Sequence, residues 1–272
     1  MNRRALLTAG VAALASGRAS AQGGPALTVL RARYVQGGHV IVRTAPGATL
    51  AVESAEVGKA SAGGLAVIGF DRDAPSSTRI SASLEGATTA LPVTIAPGDF
   101  DVQRIGGLPA NQVQPTDPAL LARIAREGEL KRAAFASQWD GEGFAGGFEP
   151  PVRARVSGRF GGQRVLNGVP ARPHYGVDLA CPSGTPVLAP AAGLVVLAEP
   201  ALHYEGGLIL IDHGQGLVSA YLHLSKLDAV RGATVAKGQR IGAVGSTGRA
   251  TGPHLCWRLK WRERNMDPML LT

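Results

Sequence analysis

Three short segments combine residue types that could hold a metal ion and move a proton. The first is His174-Tyr-Gly-Val-Asp178. A histidine and a carboxylate four apart can share a Zn2+ if the chain bends between them, and Gly176 permits the bend. The second is Tyr221-Leu-His223-Leu-Ser225, with His223 near the end of an alternating strand. The third is Gly252-Pro-His254-Leu-Cys256-Trp257-Arg-Leu-Lys-Trp261. There Leu255, Trp257, Leu259 and Trp261 alternate and are expected to face a core. His254 and Cys256 then share the opposite face, with side chains ~7 Å apart along the strand. That spacing suits one metal ligand and one neighbouring general acid or base. Each segment alone is a weak signal, because an isolated histidine is more often structural than ligating.

Taken together and in order, the segments resemble the lysostaphin/LytM-type zinc metalloendopeptidases, which cut peptide cross-links in peptidoglycan. The resemblance spans residues 150–270. It includes Gly158-Arg-Phe-Gly161, the run from His174 through Val187, Ala189-Pro-Ala-Ala-Gly-Leu-Val-Val, Asp212-His-Gly, Tyr221-Leu-His-Leu-Ser, Lys237-Gly-Gln-Arg-Ile-Gly and Gly245-Ser-Thr-Gly-Arg-Ala-Thr-Gly-Pro-His. Carried over position by position, it implies zinc ligands at His174 and Asp178, a catalytic pair at His223 and His254, and one Zn2+ per chain. The family's third zinc-binding position, a histidine, is Cys256 here. This is the one departure among the five motif residues.

Three states of Cys256 follow. Its thiolate can replace imidazole as the ligand, with Zn–S at ~2.3 Å. That exchange lowers the net charge of the zinc site from +1 to 0 and makes a weaker Lewis acid. Alternatively, zinc binds poorly and the domain is a degenerate module. Or Cys256 is oxidised, for example by pairing with Cys181, which lies three residues beyond Asp178 and is awkwardly placed for it. The resemblance implies an exported enzyme that hydrolyses peptidoglycan cross-links in cell-wall remodelling. The alternative is a non-catalytic LytM-like module that binds the wall or activates another hydrolase. Tyr221 adds either a hydrogen bond at the site or an aromatic wall to the groove. His213 is expected to shape a turn, and His203 and His39 to be structural.

The rest of the chain must position these residues. Glycine and proline make up about a fifth of its 272 residues, which favours short strands and tight turns over a helical bundle. The expected fold is all-β in two modules. Residues 22–100 form a small immunoglobulin-like β-sandwich. The strand-length runs there begin at Thr28, His39, Thr49, Leu65 and Leu91. Residues 101–150 form a linker with a helix over 117–138, capped by Asp117 and carrying a stripe of Leu120, Leu121, Ile124 and Ala125. Residues 151–272 form the peptidase-type domain, which the resemblance implies is an antiparallel β-sandwich or barrel-like fold of the duplicated hybrid motif type.

Residues 1–21 read as a signal peptide, with Arg3 and Arg4 before a short apolar run and Ala19-Ser20-Ala21 as the cleavage pattern. Export places the mature chain in the periplasm or cell envelope, with no stable membrane insertion. The formal charge of +8 falls to +5 without Arg3, Arg4 and Arg18, and residues 144–272 alone carry +6. Aromatics are only 5 %, too sparse for base-stacking platforms, so the charge points away from nucleic acid and toward an anionic wall polymer such as peptidoglycan. A regulatory protein partner is compatible with the second reading.

Overall fold

The computed structural model describes residues 24–272. The expected signal segment lies outside the described residues. Strands β1 (Thr28–Arg33), β2 (His39–Arg43) and β5 (Leu65–Gly69) form one antiparallel sheet in the order β1-β2-β5. Strands β3 (Thr49–Val52), β4 (Ala55–Lys59), β6 (Ser77–Leu84) and β7 (Ala87–Thr94) form a second, in the order β4-β3-β6-β7. The β-branched runs of β2 and β5 are buried almost throughout, as expected for central strands. β4 and β6 are built mainly of small and polar residues, and sequence reading passed over both.

The stretch expected as a linker with one helix carries that helix, α2 (Pro118–Phe135), and in addition a strand, β8 (Val102–Ile105), and a single helical turn, α1 (Ala110–Val113). The Asp117 carboxylate accepts from the Ala119 and Leu120 amides, as expected of an N-cap, and Pro118 occupies the first helical position. The packing face differs from the expected stripe. Leu121 is 45 % exposed, while Leu130, Ala134 and Phe135 pack onto the sheet below. The first half of α2 is held instead by polar ties: Arg123 donates to the Ala201 carbonyl, and Glu127 accepts from the His203 amide.

The remaining strands are β9 (Arg155–Gly158), β10 (Gln163–Leu166), β11 (Val169–Pro170), β12 (Val177–Ala180), β13 (Pro186–Leu188), β14 (Gly193–Leu202), β15 (Gly206–Asp212), β16 (Leu217–Leu227), β17 (Thr234–Val235), β18 (Arg240–Val244), β19 (Leu255–Trp261) and β20 (Arg264–Met266). β8 pairs in parallel with β10, so this part of the connector is built into the sheet β11-β10-β8. The large sheet has ten strands and runs β17-β14-β15-β16-β19-β12-β9, with β13, β18 and β20 attached to its side. It ends in short strands, β17 and β9, each paired on one side only. The sheet is therefore open, and the barrel-like form that the resemblance implied is not what the chain adopts.

The N-terminal sheets dock on the far side of β19 and β20. Gln215 bonds the backbone of Val67, Lys59 and Leu65, and Arg264 donates to the Gly69 carbonyl. Gly69 has no side chain because the chains meet there: a Cβ would lie 2.4 Å from Met266 Sδ and 2.8 Å from Trp261 Cβ. Leu255, Trp257, Leu259 and Trp261 face the shared core, whereas Cys256 belongs to the opposite face. The expected alternation of β19 holds.

Candidate metal and catalytic site

The register of the large sheet assembles the site. β12 and β19 are antiparallel with Asp178 opposite Cys256, so a carboxylate and a thiol stand side by side. On its other flank, β19 pairs with β16 and sets Cys256 opposite Leu222, one residue before His223. His174 lies just upstream of β12, anchored because its amide donates to the Gly162 carbonyl and its carbonyl accepts from the Gly161 amide. Gly176 lets this turn press against β19. A Cβ there would lie 2.6 Å from Arg258 Cγ, 2.9 Å from the Trp257 carbonyl oxygen and 3.2 Å from Cys256 Sγ.

His174 Nε2 is 3.1 Å from Asp178 Oδ1 and 3.4 Å from Cys256 Sγ, and one ligand atom from each of the three residues lies within 4.8 Å of the others. Asp178 Oδ1 is buried and accepts no hydrogen bond. A buried, unsatisfied carboxylate oxygen is costly unless something else meets its charge. One imidazole, one carboxylate and one thiol converging on a point is a zinc-type donor set. The residues present thus fit a bound cation.

His223 and His254 stand beside this trio. Their rings are 4.7 Å apart between centroids, and His254 Nε2 is 3.7 Å from Asp178 Oδ1. All three histidines commit Nδ1 to a backbone carbonyl: His174 to Arg159 at 3.2 Å, His223 to Thr247 at 2.8 Å and His254 to Gly252 at 2.8 Å. A carbonyl only accepts, so each Nδ1 carries the proton and each Nε2 presents a lone pair.

His223 needs an unusual backbone. Its φ is +66°, in the left-handed region, at a bulge where Gly207 pairs with Leu224 but Ile209 pairs with Tyr221. The extra residue breaks the alternation. Tyr221 and His223 therefore do not share a face, and the expectation that Tyr221 lines the site is corrected: Tyr221 is fully buried, and its hydroxyl is bonded to Ser219 Oγ at 2.6 Å. His213 shapes a turn, bonded to the Ala192 carbonyl and to Ser219 Oγ. His203 is tied to the connector through the Asn111 carbonyl, and His39 is buried in β2. Both cysteines are free thiols; Cys181 turns toward the Leu179 carbonyl rather than toward Cys256.

The electrostatics follow from burial and from two arginines that sequence reading missed. Burial favours the neutral form of Asp178, but His174, Arg164 and His254 outweigh it and hold the carboxyl well below its usual range. Arg164 donates to Asp178 Oδ2 at 3.0 Å. Burial, reinforced by Asp178, pushes the Cys256 thiol up to about 12, opposed by Arg258 and Arg164. Burial above all presses His223 down to about 3, so it is neutral at pH 7. Arg258 lies two residues beyond Cys256 on the same strand face, a spacing that could have revealed it. Nothing in the sequence marks Arg164.

Residues 172–268 match Peptidase family M23. The chain is 44 % identical over 117 residues to peptidoglycan DD-endopeptidase ShyA of Vibrio cholerae, a match covering 42 % of this chain and 27 % of ShyA. It is 39 % identical over 126 residues to the DD-carboxypeptidase/endopeptidase Mpg of Neisseria meningitidis, covering 46 % of this chain and 29 % of Mpg. The chain thus spans less than a third of the length of these relatives. A crystal structure of a putative peptidase M23 from Pseudomonas aeruginosa superposes with a TM-score of 0.69 and 28 % identity, covering 88 % of this chain and 95 % of that one. The segment 172–268 is thus a Peptidase M23 domain, similar to those of these peptidases.

Proposed function

We propose that this chain is an exported zinc metalloendopeptidase that hydrolyses peptide cross-links of peptidoglycan in the cell envelope. The observation that carries the reading is the convergence of His174, Asp178 and Cys256 beside two histidines whose Nε2 atoms carry lone pairs. His174, Asp178 and Cys256 would hold the zinc. When bound, zinc supplies electrophilic polarisation of the scissile carbonyl. His223, neutral at pH 7, accepts the proton of the attacking water at Nε2, and its Nδ1–H stays fixed on the Thr247 carbonyl. His254 shares the same approach and accepts a hydrogen bond from the water at its own Nε2, which orients it for attack. The relatives' names support a peptidoglycan substrate, and the +6 balance of residues 144–272 suits an anionic wall.

In this reading residues 151–272 are the peptidase domain and residues 22–100 a separate β-sandwich of immunoglobulin-like type. The non-catalytic, wall-binding alternative rests on Cys256 alone, and the enzyme names of the relatives do not favour it. The test is metal analysis of the mature chain combined with digestion of purified peptidoglycan. The expected result is one zinc per chain and cleaved cross-links, with cleavage lost in His223→Ala. Absence of both zinc and products, with activity appearing in Cys256→His, would favour the non-catalytic reading.

A further inference from the structure

A cavity of about 380 Å3 opens directly onto His174 and His223. Its lining includes four guanidinium groups, those of Arg164, Arg172, Arg249 and Arg258, against one carboxylate, Glu205. One oxygen of that carboxylate is met from outside the cavity, where Lys131 of α2 donates to Glu205 Oε1 at 2.6 Å, so a single shared carboxylate faces the four guanidinium groups through its buried, unpartnered Oε2. Arg249 is held rigidly. It donates from Nη1 to the Gln112 carbonyl at 2.9 Å, and its Cζ lies 4.5 Å from the centroid of the Tyr204 ring. The Nε atoms of Arg164 and Arg258 are buried and have no hydrogen-bond partner. Arg172 stands exposed at the cavity's mouth.

Like charges gathered this closely need an anion. Burial lowers the pKa of Arg249, and the neighbouring charges of Arg164 and Arg258 lower it further. Asp178 relieves only Arg164 by direct contact. If Asp178 and Cys256 are engaged by a cation, they offer the arginines still less. The planar forks of fixed guanidinium groups match a carboxylate, which accepts two parallel hydrogen bonds.

We propose that this cavity is a subsite for a carboxylate of the substrate peptide, with Arg249 as its rigid anchor and Arg172 as its outer contact. The inference rests on the peptidase reading and adds a specificity to it: peptides with a free carboxylate next to the scissile bond are preferred over amidated ones. That carboxylate can be the C-terminus of a stem peptide or the side-chain carboxylate of a diacid residue. Both present the same chemistry to the arginines.

The test uses two pairs of synthetic cross-linked peptides and the full mature chain. One pair differs only in a free or amidated C-terminus, the other only in a free or amidated side-chain carboxylate. Equilibrium binding and steady-state cleavage are both measured. For one pair, the free acid is expected to bind about tenfold or more tightly, the size of one charge-assisted hydrogen bond. The difference falls on KM rather than kcat, and the responding pair identifies the source. Arg249→Met is expected to bring acid and amide within about twofold by weakening the acid alone. Arg172→Gln, at an exposed position that the fold does not need, is expected to shrink the ratio without changing zinc content. Acid and amide forms that bind alike in both pairs, or not at all, overturn the subsite, as does equal weakening of both forms by the arginine variants. Acid preference without cleavage keeps the subsite and removes the peptidase reading; cleavage without preference does the reverse.

Discussion

Asp178 and Cys256 are direct partners in the antiparallel β12–β19 register, and this pairing builds the corner of the candidate metal site. A one-residue slip of β12 against β19 would turn one of the two side chains to the opposite face of the sheet. The core side of β19, carrying Leu255, Trp257, Leu259 and Trp261, fixes that register through burial. The candidate ligands on one face are thus held by apolar packing on the other.

Replacing Cys256 separates ligation from packing. Cys256 is 1 % exposed, so Cys256→His must fit a larger ring into a closed space beside Gly176. Zinc binding is expected to survive while stability falls by about 1–3 kcal/mol from overpacking. Cys256→Ala is expected to lose most of its zinc with a smaller effect on unfolding of the metal-free chain. Metal analysis and denaturant titration of both variants check this; equal zinc content in wild type and Cys256→Ala would remove Cys256 from the ligand set.

His223 occupies a left-handed backbone conformation that a non-glycine residue adopts at a cost. His223→Gly relieves that strain but removes the donor to the part-buried Thr247 carbonyl, so the effects oppose and stability is expected to fall by no more than about 1–2 kcal/mol. Cleavage is expected to fall by about 10²–10⁴-fold, the contribution of a positioned general base. A folded variant that keeps full activity would contradict the role given to His223.

Gly176→Ala tests the close approach of the His174 turn to β19. The added methyl would meet Arg258 Cγ at 2.6 Å and the Trp257 carbonyl oxygen at 2.9 Å, and the second of these is backbone. The turn must therefore shift. A loss of about 1–3 kcal/mol and weaker zinc binding are expected together, measured by thermal unfolding and by competition with a chelator. Loss of stability with unchanged zinc affinity would show that the turn can move without disturbing the ligands.

Acid should destabilise the fold through two buried histidines outside the site. Burial pushes His39 down to about 4, helped by Arg31 and Arg33, and burial alone pushes His213 down to about 4. Both folded-state values lie below the unfolded one of about 6.5. Above pH ~6.5 neither state binds these protons and the stability is fully present. As pH falls from ~6.5 toward 4 only the unfolded chain takes them up, and about 3 kcal/mol per histidine is lost. Neither His39 ring nitrogen has a hydrogen-bond partner. His39→Leu is thus expected to remove this residue's share of the acid loss, about 3 kcal/mol, and to cost little at pH 7. Denaturant titrations at pH 7.0 and 4.5 measure it; an undiminished acid loss in His39→Leu would contradict the assignment.

The chemistry was legible where residue types are specific. His174, Asp178, His223, His254 and Cys256 are weak signals one by one and are singled out by the family resemblance of their segments taken together, and the structure brings all five together. The alternation of β19 was equally plain. Asp178's own strand was not, because β12 is four residues long and lies between a glycine turn and Cys181-Pro182, with little apolar signal. The bulge at His223 leaves no mark in composition, so strict alternation misplaced Tyr221. β8 was hidden in a polar connector because its pairing with β10 depends on residues far along the chain. The arginines gathered around the site are scattered in sequence from Arg164 to Arg258, and only the fold unites them.

The sulfur of Cys256 offers the most direct test of the metal site on which the account depends. X-ray absorption at the zinc edge of the zinc-loaded mature chain reads the ligands themselves. The account predicts one sulfur at about 2.3 Å with nitrogen and oxygen neighbours near 2.0–2.2 Å, the sulfur vanishing in Cys256→Ser. A shell of nitrogen and oxygen alone in the wild-type chain would contradict it.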